Sequence, residues 1–382
     1  MKANRRIIFW TGNFWPILGG VEVHATRFLQ ALTKRGFEFL VISNQNDRSL
    51  TLESDFQGIP VFRFPFADAL NNPLKTLEIK RDITKLKRSF APDLIHRNSV
   101  GVGDFFHLTT ANVHPAPFLV TLHGKWLPQA NALVTQTLRA ASWVVGCSAT
   151  ILNYGQKLVP EISSQSSIVY NAMEDTGLLP TPLLLHGPRL LCLGRMVAVK
   201  GFDLALHAMV SLVKRFPEVR LTLAGDGPER CTLEKQAAEL GLRDKVDFLG
   251  WVHPDKVPAL INTATIVVMP SRFESFPIAA LQAAHGGRPV VGTRVGGLPE
   301  VVAHSLTGLL VDEENSDELA SAITYLLDHP AKAVQMGQAG RTRVKIDFNW
   351  KQHIDTYEGL YRKLIENRSQ HKSHSLIHGL AN

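Results

Sequence analysis

The stretch Ile266–Ala283, IVVMPSRFESFPIAALQA, decides how the rest of the chain is read. Ile266–Met269 is apolar, rich in β-branched residues and closed by Pro270, as a strand buried on both faces should be. The loop that follows carries Arg272 and Glu274, and from Pro277 the apolar residues take a helical spacing to Ala283. Pro277 suits a first helical turn, where an N–H would find no intrahelical partner anyway. Strand, polar loop and helix in this order form the repeating unit of a parallel sheet with crossover helices.

The same unit recurs outward in both directions. Ile7–Trp10, Leu40–Ser43, Asp93–His96, Leu119–Leu122 and Trp143–Gly146 read as strands before it. Leu190–Leu193, Leu221–Ala224, Val246–Leu249 and Val290–Gly292 complete the second set, with helical patterns at Asp203–Phe216 and Glu229–Leu240. The alternation lapses over Met173–Arg189, where Pro180, Pro182 and Pro188 break any helical period, and the interdomain linker is placed there. The expected fold is therefore α/β, with two doubly wound domains over residues 1–175 and 176–349. An amphipathic helix follows over 350–368, and the polar segment 369–382 reads as a disordered tail.

Composition agrees with this class. At 382 residues, 45% hydrophobic and 20% charged, the chain is globular and long enough for two cores. No apolar run approaches the ~20 residues that span a bilayer, and the short run Ile7–Trp10 is no signal-peptide core. The location expected is the cytoplasm, with a peripheral place at the inner face of the membrane as its variant. Cys147, Cys192 and Cys231 lie far apart, each in or beside an apolar run, and read as buried core thiols. Residues 1–180 hold 18 Lys and Arg against 13 Asp and Glu, and the remainder 23 against 21. That balance favours anionic partners but lacks the basic stripe of a nucleic-acid binder.

Candidate ligand groups fall on the loops after strands, where open parallel sheets bind ligands. Gly19-Gly20 precedes a helix and permits close backbone approach, or only a tight turn. His123 follows the strand Leu119–Leu122. Gly194-Arg195 and Lys200-Gly201 put two cations beside a helix N-terminus, a layout suited to a diphosphate. The amides of Ser275, Phe276 and Ile278 around Pro277 are candidate anion donors, Glu274 suits sugar hydroxyls, and Gln282 lies two turns further on.

Taken together these segments resemble glycosyltransferase family 4, the retaining nucleotide-sugar transferases of the B-type glycosyltransferase fold. Gly19-Gly20-Val21-Glu22, His123-Gly124, Gly194-Arg195, Lys200-Gly201, Ala224-Gly225-Asp226-Gly227-Pro228, Phe248-Leu249-Gly250, Pro270-Ser271, Glu274 and Gly296-Gly297-Leu298-Pro299-Glu300 stand in the family's order and spacing. The resemblance implies two facing Rossmann-like domains with the site in their cleft, and a helix from Trp350 that returns to the first domain. It implies that Arg195 and Lys200 hold the donor diphosphate, that Gly19 and Gly20 crowd it, and that His123 and Glu274 meet the transferred sugar. The base would lie against the backbone of Trp251 and Val252. The family motif has Glu where this chain has Gln282, on the ribose. Exchanging a charged for a neutral hydrogen bond costs about 1 kcal/mol, roughly fivefold in affinity. Pro277, where the family often has Gly, removes one amide donor.

The function expected is retaining transfer of a sugar from a nucleoside diphosphate sugar, a UDP-sugar ahead of GDP-mannose, to a glycan, glycolipid or small-molecule acceptor. No cofactor or metal is expected, since no Asp-x-Asp motif occurs and two cations can neutralise the leaving group. The alternative is a catalytically weak or inactive nucleotide-sugar-binding partner protein, motivated by Gln282. Pro73–Ser89 carries Lys75, Lys80, Arg81, Lys85, Lys87 and Arg88 against Glu78 and Asp82. A solvated helix packed through Leu74, Leu77, Ile83 and Leu86 is preferred there over contact with an anionic membrane.

Overall fold

In the computed structural model, which describes residues 5–175, 177 and 179–378, the chain divides into two compact units. Unit 1 is Met1–Val169 with Gln352–Asn382, and unit 2 is Tyr170–Lys351. The sequence places the boundary a few residues later. Tyr170 moves to unit 2 because its ring packs on Phe276 and Phe348, at 5.8 and 5.5 Å, while Met173 bridges to Asn349.

Unit 1 runs β1 (Arg5–Thr11), α1 (Gly20–Thr33), β2 (Phe37–Asn44), β3 (Glu53–Phe56), β4 (Ile59–Phe64), α2 (Phe66–Leu70), α3 (Pro73–Phe90), β5 (Leu94–Asn98), α4 (Gly103–Thr109), β6 (Phe118–Leu122), α5 (Asn131–Ala140), β7 (Trp143–Gly146), α6 (Ala149–Leu158) and β8 (Ser166–Ile168). Its sheet has the order β3-β4-β2-β1-β5-β6-β7-β8, parallel except for β3 against β4. Unit 2 runs β9 (Arg189–Leu193), α7 (Phe202–Arg215), β10 (Arg220–Ala224), α8 (Arg230–Glu239), β11 (Val246–Gly250), α9 (Val257–Asn262), β12 (Ile266–Met269), α10 (Ile278–His285), β13 (Val290–Thr293), α11 (Leu298–Val301), β14 (Gly308–Val311), α12 (Ser316–Asp328) and α13 (Pro330–Asp347). Its sheet is wholly parallel, in the order β11-β10-β9-β12-β13-β14. Strand order reverses between β1 and β5 and between β9 and β12, and these switch points open the crevices where such sheets hold ligands.

The helix α14 (Trp350–His378) carries the chain back to unit 1. It ties down through a buried polar chain. His96 on β5 bonds the Tyr361 hydroxyl at 2.6 Å and Thr121 on β6 at 2.8 Å, and Thr121 bonds Tyr357 at 3.1 Å. The helix also runs through most of the segment read as a disordered tail. No proline interrupts Trp350–His378, and Gln370, Lys372 and Leu376 are good helix formers. Residues 379–382 lie outside the described residues.

Two further expectations are corrected. Cys147 and Cys192 are buried, but Cys231 is exposed, because Leu233 and Ala237 carry the buried side of α8 and position 231 points away from it. On α3 the buried positions are Ile79, Ile83 and Lys87, four apart, while Leu74 and Leu77 stay 79% and 63% exposed. The Lys87 ammonium lies inside unit 1 and donates to Thr110 Oγ1 (2.9 Å), the Thr110 carbonyl (3.1 Å) and the His107 carbonyl (3.4 Å).

Burial pulls the Lys87 pKa down to about 7, against ~10.4 in an unfolded chain. Above pH 7 the unfolded state therefore binds more protons than the native one, so stability rises with pH and is lost as pH falls toward 7. Beyond about pH 8.5 Cys192, Tyr357 and Tyr361, whose pKa values burial raises, begin to oppose this. Denaturant melts between pH 7 and 8.5 should show stability climbing in the wild type and a flatter profile in Lys87→Met. An equal climb in both would remove Lys87 as its source.

Candidate active site

The carboxyl edge of the unit 2 sheet is built by backbone touching backbone. A Cβ on Gly225 would lie 1.8 Å from the Gly194 carbonyl oxygen, and one on Gly227 2.4 Å from that of Met196. Equivalent atoms on Gly201 and Gly296 would meet the carbonyls of Pro270 and Glu274 at 1.9 Å each. All four glycines have positive φ. They let the loops after β9, β10, β12 and β13 close on one another, and hydrogen bonds fill the gaps: Gly194 N to Ala224 O (3.0 Å), Met196 N to Asp226 O (2.8 Å), Arg272 N to Val199 O (2.8 Å) and Gly297 N to Glu274 O (2.7 Å).

This frame brings Lys200 and Glu274 together across the β9/β12 switch point. Lys200 Nζ donates to Glu274 Oε1 at 2.7 Å, and the Ser271 hydroxyl donates to the same oxygen at 2.7 Å. Glu274 is buried and Lys200 half-buried. Arg195, on the loop shared with Lys200, is exposed and has no ion-pair partner among the described residues. A fixed carboxylate beside a cation, with a second cation on the same loop, can grip hydroxyls and an anion.

Arg272 holds the frame, and sequence reasoning missed it. Its guanidinium takes both oxygens of Asp203 at the start of α7, at 2.9 and 2.7 Å, and also bonds Glu314 and the Ala198 carbonyl. These partners lie 42 to 74 residues away in sequence. No local pattern could have named them.

The helix mouth differs from expectation. α10 begins at Ile278, so Pro277 is the residue before the helix and not in its first turn. The Ile278 amide bonds the Phe276 carbonyl at 3.1 Å and is not a free donor, and the Phe276 ring is buried on Tyr170 and Phe348. Ser275 stays half-buried on the loop. Trp251 is exposed after β11, its ring edge-on to His253 at 5.6 Å, with half-buried Val252 beside it. Gln282 lines a small cavity with Asp175, Asn262 and His285, where a Glu would share space with the Asp175 carboxylate.

In unit 1, Gly19 precedes α1 and Gly20 opens it, with the Glu22 carboxylate folded over Gly19 where a Cβ would stand. His123 leaves β6 and lies against His24 of α1, ring centres 6.5 Å apart, and His24 packs on His353 of α14 at 4.9 Å. Burial, with His353 adding to it, pulls the His123 pKa down to about 4, so the imidazole is neutral near pH 7. His24 is lowered chiefly by burial too.

Two doubly wound domains with a cation–carboxylate pair at a switch point define, with the comparisons, a glycosyltransferase of the B-type fold. Residues 184–343 match the family "glycosyl transferases group 1" and residues 18–175 match "glycosyltransferase family 4". An uncharacterized glycosyltransferase of Methanocaldococcus jannaschii is 38% identical, over 81% of this chain and 86% of its own. The sucrose-phosphate synthase of Thermosynechococcus elongatus superposes with a TM-score of 0.83 at 22% identity, over 95% of this chain and 100% of that one. Anabaena HepE in complex with UDP-glucose gives 0.74 at 20% identity, over 96% and 99%. The chain belongs to the family 4 glycosyltransferases.

Among the described residues no helix is long and apolar enough to cross a membrane, and no three His, Cys, Asp or Glu side chains gather as a metal site requires. The glycine frame makes its own prediction. Gly225→Ala forces a Cβ onto a carbonyl at a φ of +140°, which costs about 3 kcal/mol or more. The variant should melt several degrees lower or fail to fold, and a wild-type melting temperature would show that the loops are free to part.

Proposed function

We propose that this glycosyltransferase moves a sugar from a nucleoside diphosphate sugar, a UDP-sugar by preference, to a glycan, glycolipid or small-molecule acceptor with retention of configuration. The observation that carries this is the Lys200–Glu274 pair at the β9/β12 switch point, with Arg195, which has no ion-pair partner among the described residues, on the same loop. UDP-glucose in the Anabaena neighbour supports a uridine donor.

On this reading Arg195 and Lys200 bind the diphosphate, Glu274 orients hydroxyls of the transferred sugar, and His123 meets that sugar as a neutral imidazole. Gly19 and Gly20 give the phosphates room, the backbone of Trp251 and Val252 takes the base, Gln282 the ribose, and the Ser275–Pro277 loop before α10 flanks the phosphates. The bond from the anomeric carbon to phosphate breaks and the acceptor oxygen bonds that carbon on the same face. The acceptor proton passes to a leaving-phosphate oxygen, giving the nucleoside diphosphate and the glycoside. Arg195 and Lys200 neutralise charge growing on that phosphate, where a fixed donor counts most. No metal is required for the step.

Arg195→Ala and Lys200→Ala should each lower turnover ~10²–10³-fold, Arg195→Ala with little change in melting temperature and Lys200→Ala with a lower one, because it strips the cation from the buried Glu274 carboxylate, and wild-type activity should persist in excess chelator. Gln282→Glu should move KM and spare kcat, because the ribose changes no bond in the reaction. Wild-type rates in both alanine variants would overturn the phosphate assignment, and magnesium-reversible loss under chelation the metal-free step. A panel of nucleotide sugars that binds without transfer or hydrolysis would favour the inactive binding-protein alternative.

The reading extends to peripheral contact with an anionic membrane from the cytoplasmic side. Exposed Leu74 and Leu77 continue along the outward stripe of α3 into Arg81, Lys85 and Arg88, all exposed, and exposed leucines beside cations suit a charged lipid surface. Co-sedimentation with phosphatidylglycerol vesicles should fall in Leu74→Asp/Leu77→Asp and at high salt. Equal sedimentation by the variant would leave α3 an ordinary solvated helix.

A further inference from the structure

Asn98 closes β5 at the point where unit 1 reverses its strand order, beside β1. Open α/β sheets hold their ligands at this edge. The side chain is buried, and its Oδ1 accepts a hydrogen bond from His123 Nε2 at 2.8 Å. The other imidazole nitrogen, Nδ1, is buried and has no partner among the described residues, and the same holds for Asn98 Nδ2. Buried polar atoms are rarely left so, and an unspent pair at a switch point is what a ligand would complete.

A carbonyl oxygen can only accept. It therefore selects the imidazole tautomer with hydrogen on Nε2 and leaves a bare lone pair on Nδ1. The frame under this bond is rigid: Asn98 and Thr121 are register partners on β5 and β6, and the His96–Thr121–Tyr357 chain lies beside them. The titratable groups facing His123 are His24 on α1, His353 on α14 and His96 on β5, and burial disfavours the charged form of His24 and His96. None of them is bonded to Nε2, so among the described residues Asn98 sets the tautomer.

We propose that Asn98 is a positioning residue for sugar transfer, holding His123 in the Nε2–H tautomer so that Nδ1 accepts a hydrogen bond from a hydroxyl on the transferred sugar. This rests on the reading that His123 meets the sugar. It adds a specificity: the sugar must present a donor there. Fluorine cannot donate, so a donor analogue with that hydroxyl replaced by fluorine loses as much as its deoxy counterpart.

The test combines spectra and kinetics on the full chain. Long-range ¹⁵N–¹H spectra of the wild type should show His123 protonated on Nε2 alone, with no variant needed. Asn98→Leu should mix the tautomers and lower kcat/KM about 3–10-fold. Asn98→Asp sets a carboxylate on Nε2–H, which favours the imidazolium, so the acid limb of kcat/KM should move up by one pH unit or more. Melting curves check that both variants fold. An Nδ1–H wild-type spectrum, or an unmoved acid limb in Asn98→Asp while His123→Ala is crippled, overturns the proposal. Wild-type transfer by His123→Ala overturns the sugar assignment itself, and the proposal with it.

Discussion

Contact of bare backbone with bare backbone at the carboxyl edge of the second sheet is the constraint on which the rest of the site depends. Gly201, Gly225, Gly227 and Gly296 each stand where any side chain would strike a carbonyl. Because they do, the loops after four strands form one layer, and residues from distant segments meet at fixed distances. Lys200 and Glu274 are 74 positions apart yet share a 2.7 Å bond. Arg272 completes the layer by pinning its own loop to Asp203, so that the buried carboxylate of Glu274 keeps a preset orientation. Preset donors and acceptors cost no reorganisation when charge develops, which is how such a site becomes effective.

The two units treat charge in opposite ways. Unit 2 keeps Arg195 and Lys200 at the surface of its crevice, where solvent and an anion can reach them. Unit 1 gathers His24, His96, His123 and His353 behind protein, where burial holds His24, His96 and His123 neutral. Neutral imidazoles suit hydroxyl recognition, and fixed cations suit phosphate.

Much of this was legible in the sequence because parallel strands are buried on both faces and leave continuous apolar runs. All ten runs read as strands lie within or overlap observed ones. Missed were β3, β4, β8 and β14. Phe56, Ile59 and Val61 alternate with polar or half-buried neighbours, and β8, Ser166–Ile168, is a three-residue edge strand with too little apolar content to register. His123, Arg195, Lys200, Glu274 and Gly296 follow strands as read, because loops follow strands, whereas Ile278 lies inside α10. Their partners were not legible. The Arg272 clamp, the Asn98–His123 bond and the burial of Lys87 all depend on contacts across the fold, and a lysine among five other cations reads as surface. The same limit misplaced Leu74 and Leu77, whose helical spacing suits a core face but whose side chains the fold turns outward.

The measurement that bears most directly on the central claim, that the β9/β12 edge receives a nucleoside diphosphate, is calorimetric titration of the wild type and Arg195→Ala with UDP and with uridine. The wild type should bind UDP far more tightly than uridine, with an affinity that falls as salt rises, and the variant should lose much of that preference, Lys200 keeping the rest, while binding uridine unchanged. Equal wild-type affinity for UDP and uridine, or a preference for UDP undiminished in Arg195→Ala at all salt concentrations, would contradict it.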